Sequence, residues 1–291
     1  MFCTGRYAKF ERQHISPWVA YVWDTLFTSS PSKKLPVFIE PLTVLYRDDD
    51  IVVIDKPPGL LVHRSLIAKR ETHFAVQMLR DQLGCFVYPV HRLDRPTSGV
   101  LVFALSSAMA ATLTESFTQR QIRKHYRAIV RGHVTASAKI DYPLREILDK
   151  KSDKRAFKDK PAQSAQTQLT CVQRFQVPLP VGRYHEARFS YVALSPHTGR
   201  KHQLRRHMAH VRHPIIGDTT HGDGKQNAFV RHHFNGYNLA LSCTEMHFPH
   251  PRTGKLLRIA TQPHTEMARL LASWTPFRVA GSESLNIERA Y

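Results

Sequence analysis

The sequence predicts an α+β fold, a mostly antiparallel mixed β-sheet flanked by helices and loops. Three observations carry this reading. Short apolar, β-branched runs recur along the chain, few segments between them keep helical spacing, and no internal repeat is present. Val44, Leu45 and Tyr46 face Ile51, Val52, Val53 and Ile54 across the acidic turn Asp48-Asp49-Asp50, a hairpin signal. Lys56-Pro57-Pro58-Gly59 ends the hairpin. Thr72 can cap a helix in which Ala75, Val76, Leu79 and Leu83 share one face, and Gly84 is its stop. Residues 86–90 and 100–104 are strand candidates on either side of a loop, and residues 107–120 read as a helix. Residues 123–131 alternate: Lys124, Tyr126, Ala128 and Val130 fall on one side, and Arg123, His125, Arg127 and Arg131 on the other. Period two of this kind predicts a strand with one buried and one basic face. Residues 166–172, 188–194 and 256–260 are further strand candidates, and residues 265–273 close with a short helix.

Residues 1–40 are weakly periodic and read either as an extension or as an ordered arm packed on the domain. Residues 41–270 are expected to form the one folded domain, and residues 271–291 a tail. The chain carries 42 Lys+Arg against 23 Asp+Glu, a net charge of +19. An excess of that size calls for an anionic partner, nucleic acid first and a membrane surface second. The membrane reading loses ground because no apolar run approaches spanning length and charges stand near Met1. Cys3, Cys85, Cys171 and Cys243 are scattered singly, which fits a reducing cytoplasm. Residues 150–160, dense in Lys, Asp and Arg, read as a solvated loop or as a loop that touches RNA.

Two segments carry candidate chemistry. His91 to Val100 leaves a strand and enters a loop stiffened by Pro96 and closed by Gly99, with Asp94 between Arg92 and Arg95. Pro196 to His210 begins with the turn Thr198-Gly199 and continues as a helix with Leu204, Met208 and Val211 on its buried stripe. The first-turn N–H groups of such a helix can hold a phosphate. Arg205 lies beside the stripe, so its stem can be buried while its guanidinium serves a carboxylate. His202, His207, His210 and His213 match no common metal-ligand spacing, and no metal site is expected there.

The segment His91-Arg92-Leu93-Asp94-Arg95-Pro96-Thr97-Ser98-Gly99 resembles the catalytic motif of the RluA family of pseudouridine synthases. Lys56 to Gly59, Lys124-His125-Tyr126, Thr198 to Arg205 and Pro214 to Asp218 resemble its other motifs, in the same order. The likeness spans about residues 40–265. Leu60 to Ser65, Arg95-Pro96, Arg200 to His207 and the run from Gly217-Asp218 to Asp223 resemble the family's tRNA-modifying branch. The resemblance implies a cofactor-free, metal-free isomerase with Asp94 as catalytic carboxylate. It implies Arg205 as the bidentate partner of that carboxylate, Tyr126 as the ring that packs on uracil, and Arg92 as the side chain that fills the space of a flipped base. Arg95, Lys124, Arg200, Lys201, His202 and Arg206 are expected to bind RNA, with phosphates also held by the basic face of residues 123–131 and by Arg183 and Arg188. The expected partner is RNA, tRNA before ribosomal RNA, with no membrane and no obligate protein partner, the protein acting as a monomer. A ribosomal RNA enzyme of the same family and a non-catalytic RNA-binding protein are the rival expectations. The presence of Asp94 weighs against the second.

Overall fold

A computed structural model describes residues 40–64, 71–147 and 161–280. The expected extension, up to residue 39, and the loop at residues 150–160 lie outside these residues.

Ten strands form one sheet. In chain order they are β1 (Thr43–Arg47), β2 (Ile51–Lys56), β3 (Tyr88–Pro89), β4 (Ser98–Ala104), β5 (Arg123–Arg131), β6 (Ala138–Asp141), β7 (Gln166–Val177), β8 (Ala187–Pro196), β9 (Leu241–Pro249) and β10 (Leu256–Ala260). The helices are α1 (Ala75–Leu83), α2 (Ser107–Thr118), α3 (Gln203–His210), α4 (Gly224–Phe234) and α5 (Thr265–Ser273). The spatial order is β1-β2-β4-β9-β5-β8-β7-β6, with β3 on β4 and β10 on β9. Every pairing is antiparallel except β4 with β9, which is parallel at Ser98–Ser242 and Gly99–Cys243. The predicted α+β class therefore holds.

The parallel contact depends on Gly99. It has φ of 106°, and a Cβ built on it would lie 2.1 Å from the carbonyl oxygen of Cys243. Only glycine lets the two backbones approach so closely. This closing glycine of the Asp94 loop thus fastens that loop to the centre of the sheet.

Several elements differ from the sequence expectation. The strand expected over residues 86–90 shrinks to Tyr88–Pro89, and Phe86 is exposed. Thr72 does not cap α1: Phe74 holds the cap position with no side-chain bond, while Gly84 ends the helix in the left-handed conformation as predicted. Sequence reasoning missed β6, α4 and β9. The last is buried at seven of its nine positions, so it has no alternation to detect. Past α5, Trp274 is fully buried and stacks on Phe189 at 4.4 Å, and Arg278 bridges to Phe175. The expected tail therefore begins as packed chain.

Asp48 accepts the backbone N–H groups of Asp50 and Ile51, which shapes the first hairpin turn. His250 and Arg252, beyond β9, reach back to Asp48 and Asp50. His250 Nδ1 accepts two backbone N–H groups, so its Nε2 carries the proton and donates to Asp48. The three clustered side chains Asp48, Asp50 and His250 are thus engaged with protein partners and tie the first hairpin to the β9–β10 turn. None of the helices is long and apolar enough to cross a membrane, among the described residues.

Candidate active site

Asp94 is placed by two loops that grip each other. Arg95 and Pro96 occupy the middle of a turn in which Thr97 N–H donates to the Asp94 carbonyl at 3.0 Å. The turn after β2 closes on it: Gly59 N–H donates to the Arg95 carbonyl at 2.9 Å, and Arg95 Nε returns a bond to the Gly59 carbonyl. Lys56 locks the junction. It is 0% exposed, and its ammonium donates to the carbonyls of Pro57, Leu60 and Arg95 at 2.8, 2.8 and 3.1 Å. Burial pushes its pKa down to about 7, against an upward pull from Asp94. The two segments that the sequence singled out separately are therefore one structural unit.

Facing Asp94 is α3. Leu204 and Met208 are buried as predicted, and so is Arg205, at 4% exposure. The Arg205 guanidinium does not pair bidentately with Asp94. Its Nε and Nη2 donate to the two oxygens of Asp218 at 2.7 Å each, while Nη1 lies 3.5 Å from Asp94. Asp218 is 2% exposed and also accepts the N–H groups of Thr220 and His221. Burial works to raise its pKa, but those hydrogen bonds, led by Arg205, hold it below the usual carboxylate range. Gly217, with φ of 79°, lets this loop pass within 2.0 Å, measured from an added Cβ, of the Asn238 carbonyl oxygen.

His202 enters the same network. It precedes α3 in a left-handed conformation with φ of 54°. Its Nε2 is 3.8 Å from Asp94, and its Nδ1 shares a 3.0 Å hydrogen bond with His221. Burial lowers the pKa of both histidines, with Arg205 adding to the effect. His202, expected to bind RNA, stands in the cleft beside the carboxylate.

Tyr126 is buried on the inward face of β5. Burial, with the neighbouring Cys243 thiol, raises its pKa well above 10, and burial pushes that thiol up to about 12. The phenol therefore stays protonated at neutral pH. A cleft of about 640 Å³ joins these groups, lined by Asp94, Tyr126, Arg205, His202, Arg92, Lys124, Arg200 and Lys201 among others. Such a volume suits a nucleotide-sized ligand.

Other expected residues lie elsewhere or are engaged. Arg95 pairs with Glu71 at 2.7 Å and stands outside the cleft lining. Arg206 donates to the Arg145 carbonyl and is outside it too. Arg200 and Lys201 line the cleft while donating to the carbonyls of Ser164 and Ile147. Arg123, His125, Arg127 and Arg131 alternate with the cleft-lining Lys124 and Tyr126, so the basic face turns away from the cleft. Arg131 is paired with Asp223. The four histidines considered as metal ligands point to separate partners: His207 to Thr167 and Tyr142, His210 to the Tyr142 ring, His213 to the Arg131 carbonyl and His202 to His221. Asp218 is the main residue that sequence reasoning left without a role. Its signal was its place in a motif-bearing loop 13 residues after Arg205.

Residues 50–210 match the family model described as RNA pseudouridylate synthase. The tRNA pseudouridine synthase C of Yersinia pestis is 52% identical over 221 residues, 76% of this chain and 86% of that protein. That of Vibrio cholerae is 50% identical over 218 residues, 75% and 89% of the two. Among solved structures, human RNA pseudouridylate synthase domain containing 4 superposes with a TM-score of 0.60 at 24% identity, covering 79% of this chain and 92% of that one, which supports the fold. With a family model covering more than half of the sequence and relatives half identical over three quarters of it, the chain belongs to the RNA pseudouridylate synthases, enzymes that isomerise uridine in RNA to pseudouridine.

Proposed function

We propose that this enzyme acts on tRNA, at uridine 65, with Asp94 as the reacting carboxylate. The observation that carries the tRNA reading is the level of identity, about half over 86–89% of the length of relatives named tRNA pseudouridine synthase C. The target position rests on the same likeness. We take the working form to be a cytoplasmic monomer that requires no cofactor.

The reaction breaks the N1–C1′ bond, forms a C5–C1′ bond and moves one proton from C5 to N1, so reactant and product are isomers. A uridine stacked in a stem is out of reach and must leave the helix. Arg92 is exposed at the cleft and fills the vacated space. The base enters against Tyr126. Asp94, held by Arg205 and the Lys56-locked turn, starts the reaction at the sugar or the ring. Asp218 fixes the Arg205 fork so that one nitrogen remains for Asp94. The protonated Tyr126 hydroxyl is a donor at the floor of the cleft, placed to take part in proton movement once the ring has turned. Arg200 and Lys201 contact phosphate at the rim.

The test is to incubate the protein with unmodified tRNA transcripts and with ribosomal RNA transcripts, then map pseudouridine at single-nucleotide resolution. The reading expects modification of uridine 65 of tRNA alone. Modification confined to ribosomal RNA overturns the substrate and leaves the chemistry intact.

A further inference from the structure

We propose that Lys124 and His91 form a phosphate subsite in the cleft, which takes the backbone phosphodiester next to the flipped uridine. This deepens the reading above and rests on it, since it names an RNA group held by the same cleft.

The cleft is electrostatically uneven. Around Asp94 the charges are paired, Arg205 with both Asp218 and Asp94. At Lys124 on β5 they are not. Lys124 lies two residues from Tyr126 on the same face, about 6–7 Å along the strand. Its ammonium is 6.0 Å from the centre of the Phe117 ring and 3.7 Å from where a Cβ on Gly199 would stand. Among the described residues it makes no hydrogen bond and no ion pair. Burial lowers its pKa, against an upward pull from Cys243, and no carboxylate among the described residues offsets that cost.

His91 stands beside it. Its ring stacks on Phe117 at 4.8 Å and lines the cleft. Its Nε2 accepts the Val102 backbone N–H at 3.0 Å. Desolvation and the Lys124 charge push its pKa down to about 3, so the ring is neutral and the proton sits on Nδ1. That N–H finds no acceptor among the described residues.

Two adjacent groups therefore offer donors, and one of them carries a positive charge with no partner. The missing ligand must bring acceptor oxygens and negative charge. The uracil ring supplies the first only. A phosphodiester supplies both, and one strand step from Tyr126 is on the scale of the separation between a base and its own phosphate. A Cβ on Gly199 would stand in ordinary van der Waals contact with the ammonium.

The experiment uses tRNA substrates with one uncharged methylphosphonate, either 5′ or 3′ of the target uridine, and measures kcat/KM for wild type, Lys124→Met and Lys124→Arg. One of the two substrates is expected to lose about 10- to 100-fold with wild type. Lys124→Met is expected to lose a similar factor on unmodified RNA and little more on that methylphosphonate, and Lys124→Arg to recover most of the loss. Thermal melting checks that the variants are folded. Wild-type turnover of unmodified RNA tests the underlying reading separately. A penalty undiminished in Lys124→Met, or wild type insensitive at both positions, overturns the subsite. The same cycle with His91→Phe tests the second donor, and an unreduced penalty there removes His91 from it.

Discussion

Arg205 gives its two-pronged hydrogen bond to Asp218 and reaches Asp94 with a single nitrogen, at 3.5 Å. The sequence places Arg205 near a carboxylate, but the carboxylate that orients it is a second one. Removing Asp218 leaves a buried guanidinium without its main partner. Asp218→Asn is therefore expected to cost about 3–5 kcal/mol of stability in denaturant unfolding. It should also lower turnover, because the nitrogen facing Asp94 loses its fixed position. Normal stability in Asp218→Asn would contradict the role given to the pair.

Gly99 fixes where the Asp94 loop meets β9. Gly99→Ala adds a Cβ against the Cys243 carbonyl and forces an L residue to a strongly positive φ. Neither clash can be relieved by a flexible side chain. The expected loss is about 3 kcal/mol or more, read as a lower denaturation midpoint at unchanged slope.

Acid should weaken the fold through His91. Its folded pKa of about 3 lies far below the unfolded value near 6.5. The unfolded chain therefore binds the extra proton throughout that window, and stability rises with pH across it. The contribution is complete above about 6.5 and is lost as pH falls towards 3. His91→Phe removes this group, so the slope of unfolding free energy against pH between 6 and 4 should drop by nearly one proton. An unchanged slope would show that His91 takes up its proton in the folded state as readily as in the unfolded chain.

Arg92 is the exposed cleft residue expected to hold the space of the displaced base. Arg92→Ala should slow modification of a uridine within a stem by about 10- to 100-fold, and a uridine in an unpaired segment by much less. Measuring both substrates separates base extrusion from general phosphate binding, which would slow the two alike.

The fold was legible where the chain has one buried face. β5 keeps its predicted bounds, and burial alternates from His125 to Ala128 before Ala128, Ile129 and Val130 all become buried. β9 was illegible because both of its faces are covered and Ser, Thr, Cys and His interrupt its apolar residues. Within the site, Asp94, Tyr126 and Arg205 were recognisable from motif residues and do line one cleft. The partnership of Arg205 with Asp218 was not, since it depends on a loop carried over the sheet by Gly217. Nor could spacing show that Lys56 is sealed beneath the Asp94 turn, where three backbone carbonyls surround its ammonium. The place of His202 beside Asp94 was hidden for a related reason: it depends on the left-handed backbone just before α3.

The central claim is that Asp94 performs the isomerisation. Its most direct test is single-turnover pseudouridine formation at the target uridine by wild type and Asp94→Asn, with tRNA affinity measured in parallel. The account predicts that Asp94→Asn binds tRNA with nearly wild-type affinity and forms no detectable pseudouridine. Pseudouridine formed by Asp94→Asn at a rate close to wild type would contradict it.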